Sequence, residues 1–396
     1  MTTYRELFRT PEFTPLFVSA SVNVAAGTVS SLALGTLVFA ATGSPLLAAL
    51  SMFGSSFAQM IGVVTVLSAA DRLPPRAALV GIAVLFAAGT LLLALPGLPA
   101  WGVAVVILGI GLVNSVAGGV RWGLLGEIVS AERYLLGRSV FNMAVGVMQI
   151  SGYAVGGVLL AVLTARQALL VAAVLYLAAA LVARLGLTAR PPRANGRPSI
   201  RRTWHVNGQL WASPARRATY LAMWLPNGLI VGCEALFVPY SSGSAGVLFV
   251  AAALGMLAGD TLVGRFVPQR HRQRLITPFQ VLLAAPFLAY ALRPPIGVAV
   301  AATVLATVGY GASLLLQDRL LAQTGDDVRG QALGLHSAGM LTMQAVGATV
   351  AGALAQVLPV GTAMAVMAVA SLCVTAALTP AMRRPASVMA TATAPA

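Results

Sequence analysis

The chain has 396 residues, of which 58% are hydrophobic and only 9% are charged. A soluble domain carries about 25% charged residues, so this chain has too little polar surface to fold as a water-facing globule. The net charge of +15 comes from 25 arginines against 10 acids, with no lysine. These arginines lie between apolar runs, and this placement indicates a signal for membrane topology rather than a nucleic-acid-binding surface.

Long apolar runs separated by turn residues predict twelve transmembrane helices, because a helix needs about 20 apolar residues to cross a bilayer. The runs are too long and too continuously apolar for the alternating strands of a membrane β-barrel. In chain order the predicted spans are residues 15–41, 45–67, 77–95, 101–120, 138–163, 167–187, 218–240, 246–266, 275–292, 296–316, 331–356 and 361–381.

The arginines orient these spans. With the N-terminus in the cytoplasm, 23 arginines fall in inner segments, and only Arg166 and Arg293 fall in outer loops. This asymmetry is the positive-inside pattern of a membrane protein with an even number of helices. Eight of the arginines lie in the proline-rich segment 184–217, which cannot be a buried helix. We therefore expect a multi-pass protein of the cell (plasma or inner) membrane, with both termini and this segment cytoplasmic.

An internal repeat divides the chain. The pattern Gln-x-x-Gly-x-x-x-x-Gly begins at Gln149 in the fifth span and at Gln344 in the eleventh, an offset of 195 residues. Two six-helix bundles in parallel repeat, with a substrate path between them, form a transporter architecture. We therefore predict an all-α membrane protein with twelve transmembrane helices in two six-helix pseudo-repeat bundles. The predicted domains are an N-terminal bundle at 1–187, a cytoplasmic Arg/Pro-rich linker at 188–217, a C-terminal bundle at 218–384 and a cytoplasmic tail at 385–396.

The loop after the second span carries a family resemblance. It reads Leu67-x-x-x-Asp71-Arg72-Leu73-Pro74-Pro75-Arg76. This resembles the G-x-x-x-D-R-x-G-R-[RK] loop of the major facilitator superfamily, with the Asp-Arg pair and the final arginine kept and the glycines replaced. The resemblance implies a role in an inner gate; the alternative is an interfacial ion pair worth ~1 kcal/mol or less. Asp260 and Arg265 lie near the cytoplasmic end of the eighth span. They could form a structural ion pair, or they could belong to the gate of the C-terminal bundle, and the sequence does not decide between these interpretations. The candidate gate residues are Asp71, Arg72, Arg76, Arg121, Asp260 and Arg265.

The fifth span resembles the antiporter signature G-x-x-x-G-P-x-x-G-G, with Met148 and Tyr153 in place of the first glycine and the proline. Small residues let helices approach closely, which suits a sliding interface between the halves, although plain packing explains the glycines equally well. The start of the chain, Phe8-Arg9-x-Pro11-x-Phe13, and the loop around Glu127 and Glu132 are similar to the macrolide-efflux-like branch of drug/proton antiporters. The antiporter-like residues are Gln149, Gly152, Gly156 and Gly157.

Glu234 is the acid that we predict to carry the proton. It lies about six residues from the outer end of the seventh span, and a charge at mid-bilayer costs at least ~2.5–3.5 kcal/mol. Desolvation favours the neutral carboxyl, although the side chain could instead reach the outer interface or bond a neighbour. By family resemblance the first, fourth, seventh and tenth helices line a central cavity, and each polar residue there alternatively bonds another helix. The candidate cavity residues are Asn23, Asn114, Asn227, Glu234 and Tyr310.

These features predict a secondary transporter, not an enzyme: a proton-coupled exporter of a hydrophobic or cationic small molecule, such as a drug or natural product, working by alternating access. Without lysine, the chain has no phosphate-binding loop for ATP-driven transport, and it has no Cys/His cluster for a metal. We expect the proton gradient to drive transport and no cofactor to be needed. The expected partners are a small-molecule substrate, protons and the lipid bilayer, without nucleic acid, and the protein is expected to be a monomer. The alternatives are uptake of a small nutrient and a transport-inactive sensor or scaffold.

Overall fold

The computed structural model describes residues 4–65, 72–192, 200–325 and 328–382. This part of the chain is helical and has no β-strand. The α-helices are α1 (Tyr4–Arg9), α2 (Phe13–Thr42), α3 (Pro45–Thr65), α4 (Pro75–Ala94), α5 (Ala100–Ile128), α6 (Ala131–Val162), α7 (Ala165–Gly186), α8 (Ile200–Ala212), α9 (Pro214–Ala235), α10 (Phe237–Tyr240), α11 (Ala245–Thr261), α12 (Gln269–Ala284), α13 (Ile296–Val308), α14 (Ala312–Ala322), α15 (Arg329–Val357) and α16 (Val360–Met382).

The predicted all-α membrane fold is confirmed, and each predicted span overlaps a helix or a run of adjoining helical segments. The eighth, ninth and tenth spans are composite, because a π-helical turn (Leu262–Phe266) follows α11 and 3₁₀ segments (Ala285–Leu292 and Gly309–Gly311) adjoin α12, α13 and α14. Within the described residues, ten helices are long and apolar enough to cross a membrane. The chain is therefore a multi-pass membrane protein.

Several helices run past the predicted ends of their spans. The fourth span was predicted to end at residue 120, but α5 continues to Ile128. The tenth was predicted to end at residue 316, but α14 continues to Ala322. Polar residues, Arg121 in the first case and Gln317 and Asp318 in the second, ended the apolar run in the sequence without ending the helix.

The coordinates divide into two compact units. One contains Met1–Gly43 and Ser51–Pro198, and the other contains Ser44–Leu50 and Ser199–Ala396. In the first unit, called here the N-terminal unit, α2 packs on α6 and α7, and α4 packs on α5 and α7. In the second, called here the C-terminal unit, α9 packs on α15 and α16, and α11 packs on α13.

Polar bonds between helices accompany this apolar packing. In the N-terminal unit the hydroxyl of Ser19 on α2 donates to the carbonyl oxygen of Ala179 on α7 at 2.9 Å. In the C-terminal unit the indole nitrogen of Trp224 on α9 donates to the carbonyl oxygen of His336 on α15 at 3.1 Å. Because lipid offers no competing water, such bonds help to set the register of neighbouring helices.

The glycines of α6 and α15 occupy matching positions in the two units. A methyl group placed on Gly152 of α6 would lie 3.1 Å from the carbonyl oxygen of Ala25 on α2 and would overlap the hydroxyl of Thr28. A methyl group on Gly347 of α15 would lie 2.6 Å from the carbonyl carbon of Gly228 on α9 and would overlap its oxygen. In both units, therefore, these glycines allow two helices of the same bundle to pack closely. This agrees with the second explanation given above for the glycine pattern, which is plain helix packing.

A helix lies inside the segment that the sequence assigned to the linker. Residues 200–212 form α8, and prolines at 198 and 214 flank this helix instead of interrupting it. The guanidinium of Arg216 donates to the carbonyl oxygens of Gln209 and Leu210 at the end of α8, and to that of Gln323 at 3.1 Å. An arginine on the last carbonyls of a helix satisfies acceptors that have no partner in the helix itself. The predicted bounds of the linker and of the two domains stay a prediction.

Candidate substrate and proton sites

The N-terminal unit contains a cavity of about 260 Å³ among α2, α3, α4 and α5, with one residue of α7. We call it the N-terminal cavity. Its walls are partly apolar, with Leu79, Ile82 and Phe86 of α4 on one side. Its polar residues are Ser19, Asn23, Ser30, Ser31, Ser51, Ser55, Thr90, Asn114, Arg121 and Tyr176.

Helical spacing brings the polar residues of α5 to this cavity. Asn114 and Arg121 are seven residues apart, which is about two turns and ~10.5 Å along the helix. Ile110 and Ala117 belong to the same face and also line the cavity. Sequence analysis placed Asn114 in the substrate cavity and Arg121 in the gate, whereas the structure places both side chains on one wall.

Arg121 lies in this wall without a charged partner. Its guanidinium is 5.9 Å from the ring centroid of Trp122, and within the described residues it has no hydrogen bond or ion pair. The side chain is half-buried. A guanidinium offers five N–H donors, and in this wall they are available to a molecule that enters the cavity.

Asn23 and Tyr176 complete the polar part of the cavity. The amide nitrogen of Asn23 donates to the carbonyl oxygen of Ser19 at 3.0 Å, and its amide oxygen is buried without a partner. The hydroxyl of Tyr176 lies beside Gly27, where a methyl group would be 3.3 Å from it. No protein group within the described residues is hydrogen-bonded to this hydroxyl.

The C-terminal unit contains the predicted proton carrier. Glu234 on α9 is buried, with 9% of its surface exposed, and its Oε1 accepts a hydrogen bond of 3.0 Å from the hydroxyl of Tyr310. Tyr310 lies in the 3₁₀ turn between α13 and α14 and is 4% exposed. In the ranges that the structure describes, no basic side chain forms an ion pair with Glu234. The carboxyl therefore faces a hydroxyl donor and not a counter-charge.

Asn227 lies two turns before Glu234 on α9. It is 7% exposed, and its Oδ1 accepts a hydrogen bond of 3.1 Å from Nε2 of Gln344 on α15. Of the cavity residues that the sequence predicted, Glu234 and Tyr310 are thus in contact with each other, and Asn227 bonds a neighbouring helix. Asn23 and Asn114 line the N-terminal cavity.

Five of the six predicted gate residues lie in the part of the chain that the structure describes. Asp71 lies outside the described residues, and Arg72 is exposed. Arg76 donates to the carbonyl oxygen of Leu187 at 3.4 Å. Asp260 and Arg265 are both exposed and form no ion pair with each other in this structure, and their role in a gate stays a prediction.

The four antiporter-like residues lie on α6. Gly152 and Gly156 are buried against α2, where a methyl group on Gly156 would lie 3.3 Å from a methyl carbon of Leu32. Gln149 and Gly157 are half-buried. The pattern thus marks a contact between two helices of one unit.

Two polar clusters were missed by the sequence analysis, which counted their arginines only as topology signals. Arg319 on α14 is 3% exposed and donates to Oε1 of Gln273 at 2.5 Å and to the carbonyl oxygen of Met382 at 2.9 Å. Arg190 forms two hydrogen bonds of 2.8 Å with the carboxylate of Glu12 and lies 3.6 Å from Glu127. The sequence does contain the partners of these arginines, which are the amide of Gln273 and the carboxylate of Glu12. It does not indicate which acid or amide each arginine contacts, because the partners are distant along the chain.

Glu12 connects the start of α2 with the segment after α7. Its φ is 67°, a left-handed conformation that is uncommon outside glycine. Its carboxylate also accepts hydrogen bonds from the backbone and side chain of Thr188 at 2.9 and 3.0 Å. Burial alone would raise the pKa of Glu12, but the hydrogen bonds from Arg190 and Thr188 and the charge of Arg190 lower it below its ordinary value.

Two repeated bundles of membrane-spanning helices are an architecture that many secondary transporters share. Residues 16–312 match the family model described as Major Facilitator Superfamily. Because this match covers more than half of the chain, the protein belongs to the major facilitator superfamily. Membership of this family supports secondary transport and points to a non-enzymatic transporter. A group of three or more potential metal ligands is absent from the described residues.

Solved structures share this fold. A bacterial homolog to the human lysosomal transporter Spinster, described as inward-facing and unoccupied, superposes with a TM-score of 0.69 at 13% identity, covering 94% of this chain and 95% of that one. A POT family transporter in complex with a thioalcohol-conjugated peptide has a TM-score of 0.70 at 12% identity, covering 93% and 96%. A POT family transporter in complex with 5-aminolevulinic acid matches equally well. The search of curated proteins found no significant match.

Proposed function

We propose that this transporter exports a small, largely apolar molecule in exchange for protons, and that Glu234 carries the proton. The observation that carries the proposal is the buried pair of Glu234 and Tyr310, joined by a hydrogen bond of 3.0 Å. An ionisable side chain inside a membrane segment is costly and is therefore a functional candidate by default. The small-molecule complexes of the POT family structures support a substrate of similar size class.

The chemistry of the pair suits proton exchange. An ion pair with an arginine would hold a buried carboxylate in its charged form, and separating the two charges would be strongly unfavourable. Tyr310 instead offers a hydroxyl, which donates to a carboxylate and accepts from a protonated carboxyl group. The pair can therefore stay hydrogen-bonded in both protonation states, so loading and release of a proton need no broken salt bridge.

In the proposed cycle Glu234 is protonated from the outside. The two units then change access by alternating between inward- and outward-open states, and the loop of Asp71 and Arg72 acts in the inner gate. The glycine pattern of α6 supports export over uptake by its likeness to the antiporter signature. We place the chain in the cell membrane as a monomer with cytoplasmic termini, driven by the proton gradient and without a cofactor. Whether the export or the uptake direction holds is decided by flux under an inverted gradient.

The test is Glu234→Gln in proteoliposomes under an imposed pH gradient. The amide is isosteric with the carboxyl group and cannot carry a proton, so we expect gradient-driven flux of a fluorescent apolar dye to be abolished while expression and thermal stability stay at the wild-type level. Glu6→Gln, at an exposed residue of α1, is the matched control and should transport normally. Undiminished gradient-driven flux in Glu234→Gln would reject the assignment.

A further inference from the structure

We infer that the N-terminal cavity binds the carboxylate group of an otherwise apolar small molecule, with Arg121 as its counter-charge. The inference rests on the proposed function in one respect, namely that the chain binds and moves a small molecule. It adds the substrate class, an amphiphilic organic anion, where the sequence analysis left a hydrophobic or a cationic substrate open.

Charge is the first argument. Among the described residues that line this cavity, Arg121 is the one charged side chain, and none of them is an aspartate or a glutamate. The guanidinium has neither a hydrogen bond nor an ion pair within the part of the chain that the structure describes. A cation that is half-buried and unpaired is costly, and a ligand carboxylate would satisfy it with two parallel hydrogen bonds.

The neighbouring polar groups fit the same ligand. The hydroxyl of Tyr176 and the side-chain amide of Asn114 line the cavity, and neither is hydrogen-bonded to another described residue. Both groups can donate a hydrogen bond. Arg121, Asn114 and Tyr176 together therefore offer donors from α5 and α7 to an acceptor-rich group.

The rest of the cavity fits an apolar body. Ile82, Phe86 and Leu93 of α4 line one side, and Ile107 and Ile110 of α5 line another. The volume of about 260 Å³ lies just below the usual range of ligand pockets, ~300–1,000 Å³. A compact aryl or alkyl carboxylate matches both the size and the division into a polar and an apolar part.

A cationic ligand is disfavoured in the same place. An ammonium group in this cavity would meet the charge of Arg121 and would find no carboxylate among the lining residues that the structure describes, and a like-charge contact in a partly desolvated site is unfavourable. The cationic alternative from the sequence analysis therefore has no support from this cavity.

The experiment compares three ligands of matched shape on purified full-length protein at pH 8. They are 4-phenylbutyrate, its neutral amide 4-phenylbutyramide and the cationic 4-phenylbutylamine, each titrated while the thermal unfolding temperature is measured. For wild type we expect stabilisation by the carboxylate and little or none by the amide and the amine. Arg121→Gln should weaken carboxylate binding at least tenfold, and Arg121→Lys less. The control Arg166→Gln, at an exposed position outside the cavity, should bind as wild type does.

Three results would overturn the inference: no stabilisation of wild type by the carboxylate, preference for the amine, or unchanged carboxylate binding in Arg121→Gln. If Arg121→Gln does not yield monodisperse protein, Tyr176→Phe decides, because it removes one donor hydroxyl and should weaken carboxylate binding, and unchanged carboxylate binding in this variant would overturn the inference. Glu234→Gln separates the two proposals. It should retain carboxylate binding while it loses gradient-driven flux, so flux that persists in this variant rejects the proton route and leaves the anion site standing.

Discussion

The hydroxyl of Tyr310 donates a hydrogen bond of 3.0 Å to Oε1 of Glu234, and both residues are buried in the C-terminal unit. This bond connects α9 with the 3₁₀ turn that joins α13 to α14. Because a hydroxyl can donate or accept, the contact tolerates a change of proton on Glu234. Through this hydrogen bond, a change in the protonation state of Glu234 would be transmitted to α13 and α14.

We expect Tyr310→Phe to slow gradient-driven transport about tenfold, because a hydrogen bond to a charged group is worth roughly 1.5–3 kcal/mol. The measurement is initial flux in proteoliposomes. Flux in Tyr310→Phe equal to that of wild type would show that the hydrogen bond to Glu234 does not act in transport.

A second prediction concerns the close approach of α15 and α9. Gly347→Ala should lower the free energy of unfolding by about 1–3 kcal/mol, because the new methyl group would overlap the backbone of Gly228 and force the helices apart. Gly334 lies on the same helix, and a methyl group there meets nothing within 4 Å, so Gly334→Ala is the matched control. The thermal unfolding temperature in detergent distinguishes them, and equal stability of the two variants would contradict the packing argument.

A third prediction concerns pH and the pair of Glu12 and Arg190. The pKa of Glu12 is lowered in the folded protein, so its contribution to stability is present above the pKa of the unfolded chain and is lost as the pH falls through the folded value. Glu12→Gln should therefore destabilise the protein by about 1 kcal/mol at pH 7 and by much less below pH 4, in the region under the ordinary pKa of 4.5.

The readout for Glu12 is the unfolding temperature of wild type and variant as a function of pH. Arg190→Gln should show the same loss at pH 7, because it removes the other half of the pair. A difference between wild type and Glu12→Gln that is constant from pH 7 to pH 4 would assign the effect to packing and not to the carboxylate charge.

A fourth prediction tests the proposed orientation. In a variant without Cys233 and Cys373, a cysteine at the exposed position Gly208 of α8 should react with a membrane-impermeant thiol reagent only from the cytoplasmic side. A cysteine at Arg166 should react only from outside. The physical reason is the concentration of arginines on one side of the predicted topology. Labelling of the two positions from the same side would reject the twelve-helix orientation.

The internal repeat and the buried arginines show which features could be predicted from local sequence and which could not. The matching patterns at Gln149 and Gln344 identified corresponding helices, and the structure shows that Gly152 and Gly347 each pack against another helix of their own unit. The pattern could not tell packing within a bundle from an interface between bundles, because spacing along one helix does not name the helix it faces. For the same reason Arg319 was read as a loop residue, although it is buried among backbone carbonyls.

The sequence by itself determined that this protein folds in a lipid bilayer, the approximate positions of its membrane-spanning helices and the superfamily to which it belongs, because apolar length, charge asymmetry and short motifs are properties of contiguous residues. Only the tertiary structure decided which polar residues meet. Glu234 and Tyr310 are 76 positions apart, and Arg121 shares a cavity with Asn23 and Tyr176 from other helices. Such contacts depend on the rotation and packing of whole helices against each other, and this information is distributed over every residue of their interfaces.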